Sequence, residues 1–288
     1  MKEEKIISSR DLDDDIDRCL MQGYRIDMVM PSDAPREVVL SKGDKTIILR
    51  SKNRQHSSNV DWITGRAGME YRDLIPDRLG GKVIASHIRL TKGGEVPDYV
   101  HYHKVDFQMI YCKRGRIRVV YEDQGPPFWL ETGDCVLQPP EIRHRVLECT
   151  AGAEVIEVSM PAEHETWVEH EITLPTLKLK PDRLFGRQRF VRHVSSGKSD
   201  AFRRDTGIKT TTGGLADVFV LRLRSGEEFC AKNTKISFYF VLEGAVATAI
   251  CGESEERFVV GDGFVTDTKK EYSITPVGIA ELLAVMIS

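Results

Sequence analysis

The amino-acid sequence predicts a mostly β fold, in which two β-barrels or sandwiches follow one another behind a small α+β segment. Short β-type runs occupy residues 83–160 at regular spacing, with glycine- and proline-containing turns between them. A second stretch of the same texture extends from about residue 201 to residue 288. The length of 288 residues is also that of about two domains. A tandem arrangement of two β domains accounts for both stretches of short strands and for the length.

The N-terminal part contains the one long helical pattern of the chain. Apolar residues recur on one face of residues 10–22, aspartates fill the first turn, and Gly23 follows as a stop signal. Short strands are predicted at 24–30, 38–40 and 46–50. We therefore divide the chain into an α+β segment (1–66), a first barrel (67–162), a linker (163–200) and a second barrel (201–288).

The composition argues against several classes of protein. The net charge of −3 provides no strong field for binding nucleic acid. The longest apolar runs are far shorter than the ~20 residues that span a bilayer, and the charged N-terminus leads into no apolar signal segment. The six cysteines form no CxxC pair, which is typical of reduced thiols. We expect a cytoplasmic protein with no nucleic-acid or membrane partner.

Three histidines of the first barrel form a candidate metal site. His101 and His103 lie two residues apart on a predicted strand, so their side chains point to the same face. His144 belongs to a later strand and can approach them from another direction. Three neutral imidazoles are a suitable ligand set for a divalent transition metal. The pattern predicts one mononuclear metal site inside this barrel.

The residues around these histidines resemble the two sequence motifs of the cupin family. The first motif is matched with a glutamine in place of its glutamate and one extra residue before the first histidine: Gly94, His101, His103, Gln108 and Gly115. The second is matched with glutamates in place of its glycine and its asparagine: Gly133, Pro139, Glu141, His144 and Glu148. The resemblance implies tandem cupin-type barrels of the double-stranded β-helix, or jelly-roll, kind. It also implies His101, His103 and His144 as metal ligands, with Gln108 as a possible fourth.

The glutamine at position 108 changes the expected charge of the site. An amide oxygen is a neutral ligand and takes up no proton at working pH, whereas a glutamate would carry one negative charge. A divalent site would keep a formal charge of +2, which favours anionic, oxygen-rich ligands such as a phenolate, an enolate or an α-keto carboxylate. Two alternatives remain open: Gln108 bonds a neighbour and never touches the metal, or the histidines hold no metal and serve as bases, as in epimerase-type cupins.

The second barrel is predicted to be a degenerate copy of the first. Gly244 follows Gly115 by 129 residues, and Gly261 follows Gly133 by 128 residues, which indicates an internal duplication. The positions equivalent to the ligands are occupied by other residue types: Cys230, Lys232, Ser237 and Tyr272. No histidine follows His193. We therefore expect one working site and a second barrel that serves packing or dimerisation.

Further residues of the first barrel are candidates for contact with a substrate. His87 would line the cavity if Ala85, His87 and Arg89 face inward, and would otherwise be a surface histidine. Cys112 follows Gln108 by four residues, so both side chains point to the same face of the predicted strand and Cys112 could line the cavity. A buried thiol is, however, more often a small core residue. Glu141 and Glu157 are the nearest candidates for a general base. His164 and His170 are interpreted as solvated linker residues.

The resemblance also implies a function. Three-histidine cupins include non-haem iron dioxygenases, so we expect a mononuclear iron dioxygenase that acts on a small anionic, oxygen-rich substrate. Nickel, zinc and manganese are the alternative metals. The alternative functions are a metal-dependent isomerase or epimerase of a sugar or keto acid, and a cupin that binds a small molecule without turnover. Cupin-like chains are often dimers, so we expect a homodimer.

Overall fold

The computed structural model describes residues 3–33, 35–52, 62–75, 77–197, 199–230, 235–250, 255–266 and 272–288. These residues are mostly in β-strands, as the sequence predicts. No helix among them combines the length and the apolar character needed to span a bilayer. The equivalent position Lys232 lies outside the described residues.

The N-terminal segment is a four-stranded sheet with one helix. Its elements are β1 (Glu3–Ser9), α1 (Leu12–Met21), β2 (Arg25–Met30), β3 (Glu37–Lys42) and β4 (Lys45–Ser51). The predicted helix is confirmed: the Asp11 carboxylate caps it by accepting from the Asp14 backbone N–H at 3.1 Å. Cys19 on its apolar face packs into the core formed by the sheet.

The first barrel region and the residues after it contain fifteen further strands among the described residues. The barrel region contains β5 (Ile63–Thr64), a 3₁₀ turn (Arg66–Gly68), β6 (Glu70–Asp73), α2 (Arg78–Gly81), β7 (Ile84–Leu90), β8 (Gly94–Glu95), β9 (His101–His103), β10 (Phe107–Arg114), β11 (Arg116–Tyr121), β12 (Phe128–Glu131), β13 (Cys135–Leu137), β14 (His144–Cys149) and β15 (Ala153–Met160). The following residues contribute β16 (Thr166–Val168), β17 (Leu184–Phe185), β18 (Gln188–Arg189) and β19 (Val191–His193).

The barrel is built from two sheets. One has the strand order β9-β14-β11-β12 and carries the three histidines, and the other has the order β13-β10-β15-β7. Two short strands of the predicted linker pair with these sheets. Strand β16 joins β9 to β2 of the N-terminal sheet, and β19 extends the second sheet beside β13. The domain boundaries at residues 66, 162 and 200 stay predictions, but hydrogen-bonded pairing crosses the first two of them.

The second barrel repeats the strand order of the first. Its elements are β20 (Arg203–Asp205), α3 (Ile208–Thr211), β21 (Ala216–Leu223), β22 (Phe229–Cys230), β23 (Ile236–Glu243), β24 (Ala245–Ile250), β25 (Glu256–Val259), β26 (Gly263–Thr266), β27 (Tyr272–Pro276) and β28 (Ala280–Ile287). The sheets have the orders β22-β27-β24-β25 and β26-β23-β28-β21. Each strand corresponds to one of the first barrel, which confirms the predicted duplication.

The turns that carry the repeated glycines have the same geometry in both barrels. Gly133 and Gly261 both have a φ of +93°, which favours glycine. The backbone hydrogen bonds around them also repeat: Gly133 N to Cys112 O (2.8 Å) and Cys112 N to Asp134 O (2.9 Å), against Gly261 N to Val241 O (3.0 Å) and Val241 N to Asp262 O (3.0 Å). The two landmark positions therefore mark the same turn of the same fold.

Aromatic packing fills the interior of the second barrel. Tyr272 begins β27 as His144 begins β14, and its hydroxyl lies 2.6 Å from the hydroxyl of Tyr239. The ring of Phe264 stacks on Tyr239 with 5.2 Å between centroids. Tyr239 and Phe219 are fully buried. The position equivalent to His144 is therefore taken by a side chain of the core, as expected for a degenerate copy.

The two barrels pack against each other through one sheet each. Phe107 and Met109 of β10 and Phe238 and Phe240 of β23 belong to one continuous core and are almost completely buried. The second barrel thus covers the outer face of the sheet β13-β10-β15-β7. Strands β7, β10 and β15 are consequently buried on both faces, and the predicted packing role of the second barrel is confirmed.

Candidate metal centre

Three imidazoles meet inside the first barrel. His101 and His103 project from β9, and His144 stands at the start of β14 directly opposite His101 in the strand register. One nitrogen of each ring lies within 4.8 Å of the corresponding nitrogen of the other two. All three side chains are buried, at 0–5% exposure. The structure therefore brings together the three histidines that the sequence predicts.

Hydrogen bonds at Nδ1 orient the three rings. His101 Nδ1 lies 2.8 Å from the Tyr99 carbonyl oxygen, and His144 Nδ1 lies 2.9 Å from the Ile142 carbonyl oxygen. A carbonyl oxygen only accepts, so both rings donate from Nδ1 and keep the lone pair on Nε2. His103 Nδ1 is held at 2.8 Å by the Thr166 hydroxyl. Anchoring of the second ring nitrogen is the usual support of a metal-binding histidine.

The rings are held in the neutral form that binds metal. Burial, the charge of Arg66 and the neighbouring His144 lower the pKa of His101 well below its usual range. Burial and the other two imidazoles do the same to the pKa of His103, and burial lowers the pKa of His144 to about 4. His101 Nε2 is buried without a hydrogen-bond partner among the described residues. An orphaned lone pair beside two more imidazoles fits a divalent metal ion.

Gln108 lies on the inward face of β10 and is almost fully buried. Its amide is close enough to Glu157 to lower the pKa of that carboxyl, and its Nε2 has no hydrogen bond of ordinary geometry among the described residues. Burial outweighs this effect and raises the pKa of Glu157 above its usual range. Gln108 therefore neighbours an acid inside the barrel, and its role as a fourth ligand stays a prediction.

A mostly apolar cavity adjoins the imidazoles. It has a volume of about 570 Å³, which includes solvent-open space at its mouth. His103 and His144 form part of its wall, and Glu157 and two arginines, Arg66 and Arg145, are its charged residues. Arg66 belongs to the 3₁₀ turn before the barrel, and sequence analysis missed it because it lies outside both motifs.

Comparisons with known proteins agree with this geometry. Residues 86–159, which carry all three histidines, match the model of the cupin domain. This segment is therefore a cupin domain, and the barrels of the chain have the cupin fold. No curated protein matches the sequence of the chain.

Solved structures similar to this chain share its fold at low sequence identity. Protein Ylba from E. coli is 11% identical, with coverage of 79% of this chain and 84% of that one and a TM-score of 0.54. An oxalate decarboxylase from Bacillus subtilis is 11% identical, with coverage of 80% and 76% and a TM-score of 0.57. A salicylate 1,2-dioxygenase from Pseudaminobacter salicylatoxidans is 17% identical, with coverage of 75% and 76% and a TM-score of 0.55. These likenesses establish the fold.

His87 lies on the opposite face of its strand from the cupin cavity. Ile88 and Leu90 line the cavity, whereas the His87 ring packs against Trp62 and Phe240 with centroids 4.9 and 5.6 Å away. Its Nε2 lies 2.8 Å from the Glu154 carboxylate. The interpretation of His87 as a substrate-binding group needs correction, because the residue belongs to the contact between the two barrels.

Cys112 faces the barrel interior but does not line the cavity. Its Sγ lies 3.5 Å from the Gly115 carbonyl oxygen, at the end of β10 away from Gln108, and the side chain is fully buried. Burial raises the pKa of this thiol to about 12, so it stays protonated. Cys112 is therefore a core residue of the cupin barrel, and its predicted role as a substrate-binding group needs correction as well.

Two other predictions on single residues have different outcomes. The structure places Glu157 in the cavity wall, whereas Glu141 is exposed in the loop before β14. The sequence predicts a solvated His164, but this residue is buried and its ring lies 5.3 Å from that of His103. Its Nδ1 lies 3.0 Å from the Pro161 carbonyl oxygen, so His164 supports the wall behind His103.

The charged residues around His87 predict how the free energy of unfolding depends on pH. Burial and the nearby cations Lys113 and Arg72 lower the pKa of His87 to about 4, although Glu154 opposes the shift. An unfolded histidine has a pKa of about 6.5, so the unfolded chain takes up the proton first. The stability contribution of neutral His87 is thus complete above pH 6.5 and is lost as the pH falls towards 4.

We therefore expect His87→Gln to reduce the loss of stability in acid. Besides its contact with Glu154, His87 accepts a hydrogen bond at Nδ1 from Nη2 of Arg72, 3.2 Å away. A glutamine can keep both hydrogen bonds, from its amide to Glu154 and from Arg72 to its oxygen, without titrating. Between pH 7 and pH 4.5 the metal-free wild type should lose about 2–3 kcal/mol more unfolding free energy than the variant. Urea unfolding at both pH values measures this difference, and equal losses in the two proteins would contradict the assignment.

Proposed function

We propose that the first cupin domain is a mononuclear non-haem iron dioxygenase that acts on a small anionic, oxygen-rich substrate. His101, His103 and His144 would hold the ion through Nε2. Bound iron(II) would supply the redox chemistry and open coordination positions. The observation that carries the proposal is the convergence of three neutral, anchored imidazoles on a mostly apolar cavity.

The chain's own residues give the cavity three further properties. The apolar walls exclude water from the substrate, which strengthens electrostatic interactions inside. Arg66 and Arg145 favour an anion. Glu157, with its raised pKa, can accept the proton of a substrate hydroxyl as the oxygen becomes anionic. Two similar structures bear the names of enzymes of small carboxylates, oxalate and salicylate, which supports this substrate class.

Glu157 also favours a second candidate, a metal-dependent isomerase or epimerase. Such an enzyme needs a general base near the metal, and Glu157 is the acidic side chain in the wall of the cavity. A protein that binds a metal-chelated small molecule without turnover is the third candidate.

Metal analysis combined with oxygen consumption tests these candidates. Protein purified without a metal-affinity tag is analysed for its metal and then reconstituted without oxygen with iron(II), zinc, manganese or nickel. Each form is mixed with aromatic carboxylates, 2-oxo acids, phenols and β-diketones in an oxygen electrode. We expect that, of the four metal forms, only the iron(II) form consumes oxygen with one of these substrates. Conversion without uptake would favour the isomerase, and binding without conversion by any form would favour the binding protein.

A further inference from the structure

Arg66 enters the cavity from outside the cupin barrel. The 3₁₀ turn that carries it, together with Met69 and Tyr71, closes one wall of the cavity. The Arg66 side chain is only 15% exposed. Arg66 lies outside both cupin motifs. Burial of a guanidinium costs free energy, so a contact or a function must account for its position.

Asp98 fixes Arg66 without using its full hydrogen-bonding capacity. The Asp98 side chain is completely buried and forms an ion pair with Nη1 of Arg66. Its two oxygens also accept from the backbone N–H groups of Tyr99 and Val146, each at 2.9 Å. The carboxylate is thereby held in place, whereas Nε of Arg66 is buried without a partner among the described residues. A guanidinium carries five N–H donors, so it retains donors for an anion.

The guanidinium lies next to the imidazole cluster. Arg66 lines the same cavity as His103 and His144, and its Nη1 is 3.4 Å from Nδ1 of His101. Arg145 lines this cavity as well, and its Nε is also buried without a partner among the described residues, so Arg145 is the competing cation. An anion bound by Arg66 in this cavity would share it with two of the three imidazoles that would hold the metal.

We propose that Arg66 binds the carboxylate of a substrate whose neighbouring hydroxyl or keto oxygen coordinates the metal. This inference rests on the proposed function, because it places the second oxygen on the metal. The apolar body of the substrate packs against Met69, Tyr71 and Ile88 on the wall of the cavity. The substrate class is thus a 2-hydroxyaryl or 2-oxo carboxylic acid, rather than a simple phenol or a diketone.

The test compares carboxylates with their amides on the zinc-loaded protein, since zinc is redox-inert. The probes are salicylate against salicylamide and benzoylformate against benzoylformamide, with affinities measured by isothermal titration calorimetry. The wild type should bind at least one carboxylate about 10-fold or more tightly than its amide. Arg66→Gln should lower the affinity for that carboxylate about 30-fold or more and the affinity for the amide less than about 3-fold. Arg118→Gln is the control, because Arg118 is a surface arginine of the same barrel.

Two further variants test whether a loss of binding in Arg66→Gln comes from misfolding. Arg66→Lys keeps a cation for Asp98 but loses the planar guanidinium that can donate two parallel hydrogen bonds to a carboxylate. The affinity for the carboxylate should therefore still fall about 10-fold. Arg66→Gln with Asp98→Asn removes both buried charges together and should show the same selective loss. The proposal is overturned if carboxylate and amide weaken equally, if Arg145→Gln causes the larger loss, or if the wild type has no preference.

Zinc content of the same samples separates this inference from the proposed function. A wild type that holds one zinc ion but has no carboxylate preference overturns the Arg66 assignment alone. A wild type that holds no zinc overturns the metal function, and Arg66-dependent salicylate binding in that protein would still support the anion site. Absence of both zinc and Arg66-dependent binding overturns the two together.

Discussion

His101→Ala is expected to lower the metal content of the purified protein from about one ion per chain to less than about a tenth. The loss of an anchoring contact behind a ligand already weakens metal binding about 10- to 100-fold, and removal of the ligand itself should cost more. His101 is fully buried, so no solvent-exposed side chain can replace it. Elemental analysis after dialysis against a weak chelator measures the effect.

His170→Ala is the matched control for this variant. His170 contacts Asp27 and the Ile26 carbonyl oxygen in the N-terminal sheet, away from the imidazole cluster. Its replacement should leave the metal content unchanged. Circular dichroism and the thermal midpoint of metal-free protein verify that both variants are folded. Unchanged metal content in folded His101→Ala would remove His101 from the site and with it the proposed function.

The cluster of three histidines could be predicted from the sequence because its geometry is local or repeated. His101 and His103 share a strand face by the two-residue periodicity of β-structure, whatever surrounds the strand. The barrel that receives His144 is indicated by turn glycines, and Gly133 and Gly261 do occupy the same turn in both copies. Strand periodicity and glycine positions follow from backbone sterics, so they are readable in the sequence of both copies, although the second copy has no histidine at the equivalent positions.

His87 could not be placed in the same way. Its strand, β7, is covered on one face by the cavity and on the other by the second barrel, so apolar residues occur at both parities. The alternation that normally separates an inner face from an outer face is then absent from the sequence. The direction of His87 depends on a contact with Phe240, more than 150 residues away along the chain.

Arg66 illustrates a second limit of the sequence. The residue lies 32 positions before its partner Asp98 and belongs to a three-residue turn that has no periodic pattern. Its approach to the cavity is set by the pairing of β6 with β7, which is a tertiary contact. Only the presence of an aspartate just before the two histidines could have suggested that a buried cation completes the site.

Glu157→Gln is expected to reduce turnover of the iron-loaded protein about 100- to 10,000-fold while leaving its metal content unchanged. A positioned acid–base group contributes a factor of this size, and glutamine keeps the shape of the side chain but moves no proton. Glu157 lines the cavity, and burial raises its pKa, so its proton affinity is suited to accept the proton of a substrate hydroxyl. Oxygen consumption with the substrate that the screen identifies measures the loss.

Glu141→Gln is the matched control, because the sequence offers both glutamates as candidates and the structure separates them. Glu141 is exposed in the loop before β14, with its backbone carbonyl bonded to Arg143, so its replacement should change turnover less than about 2-fold. Wild-type turnover in Glu157→Gln would show that no proton passes through this carboxyl. An equal loss in both variants would mean that charge at the barrel mouth, rather than Glu157, governs the reaction.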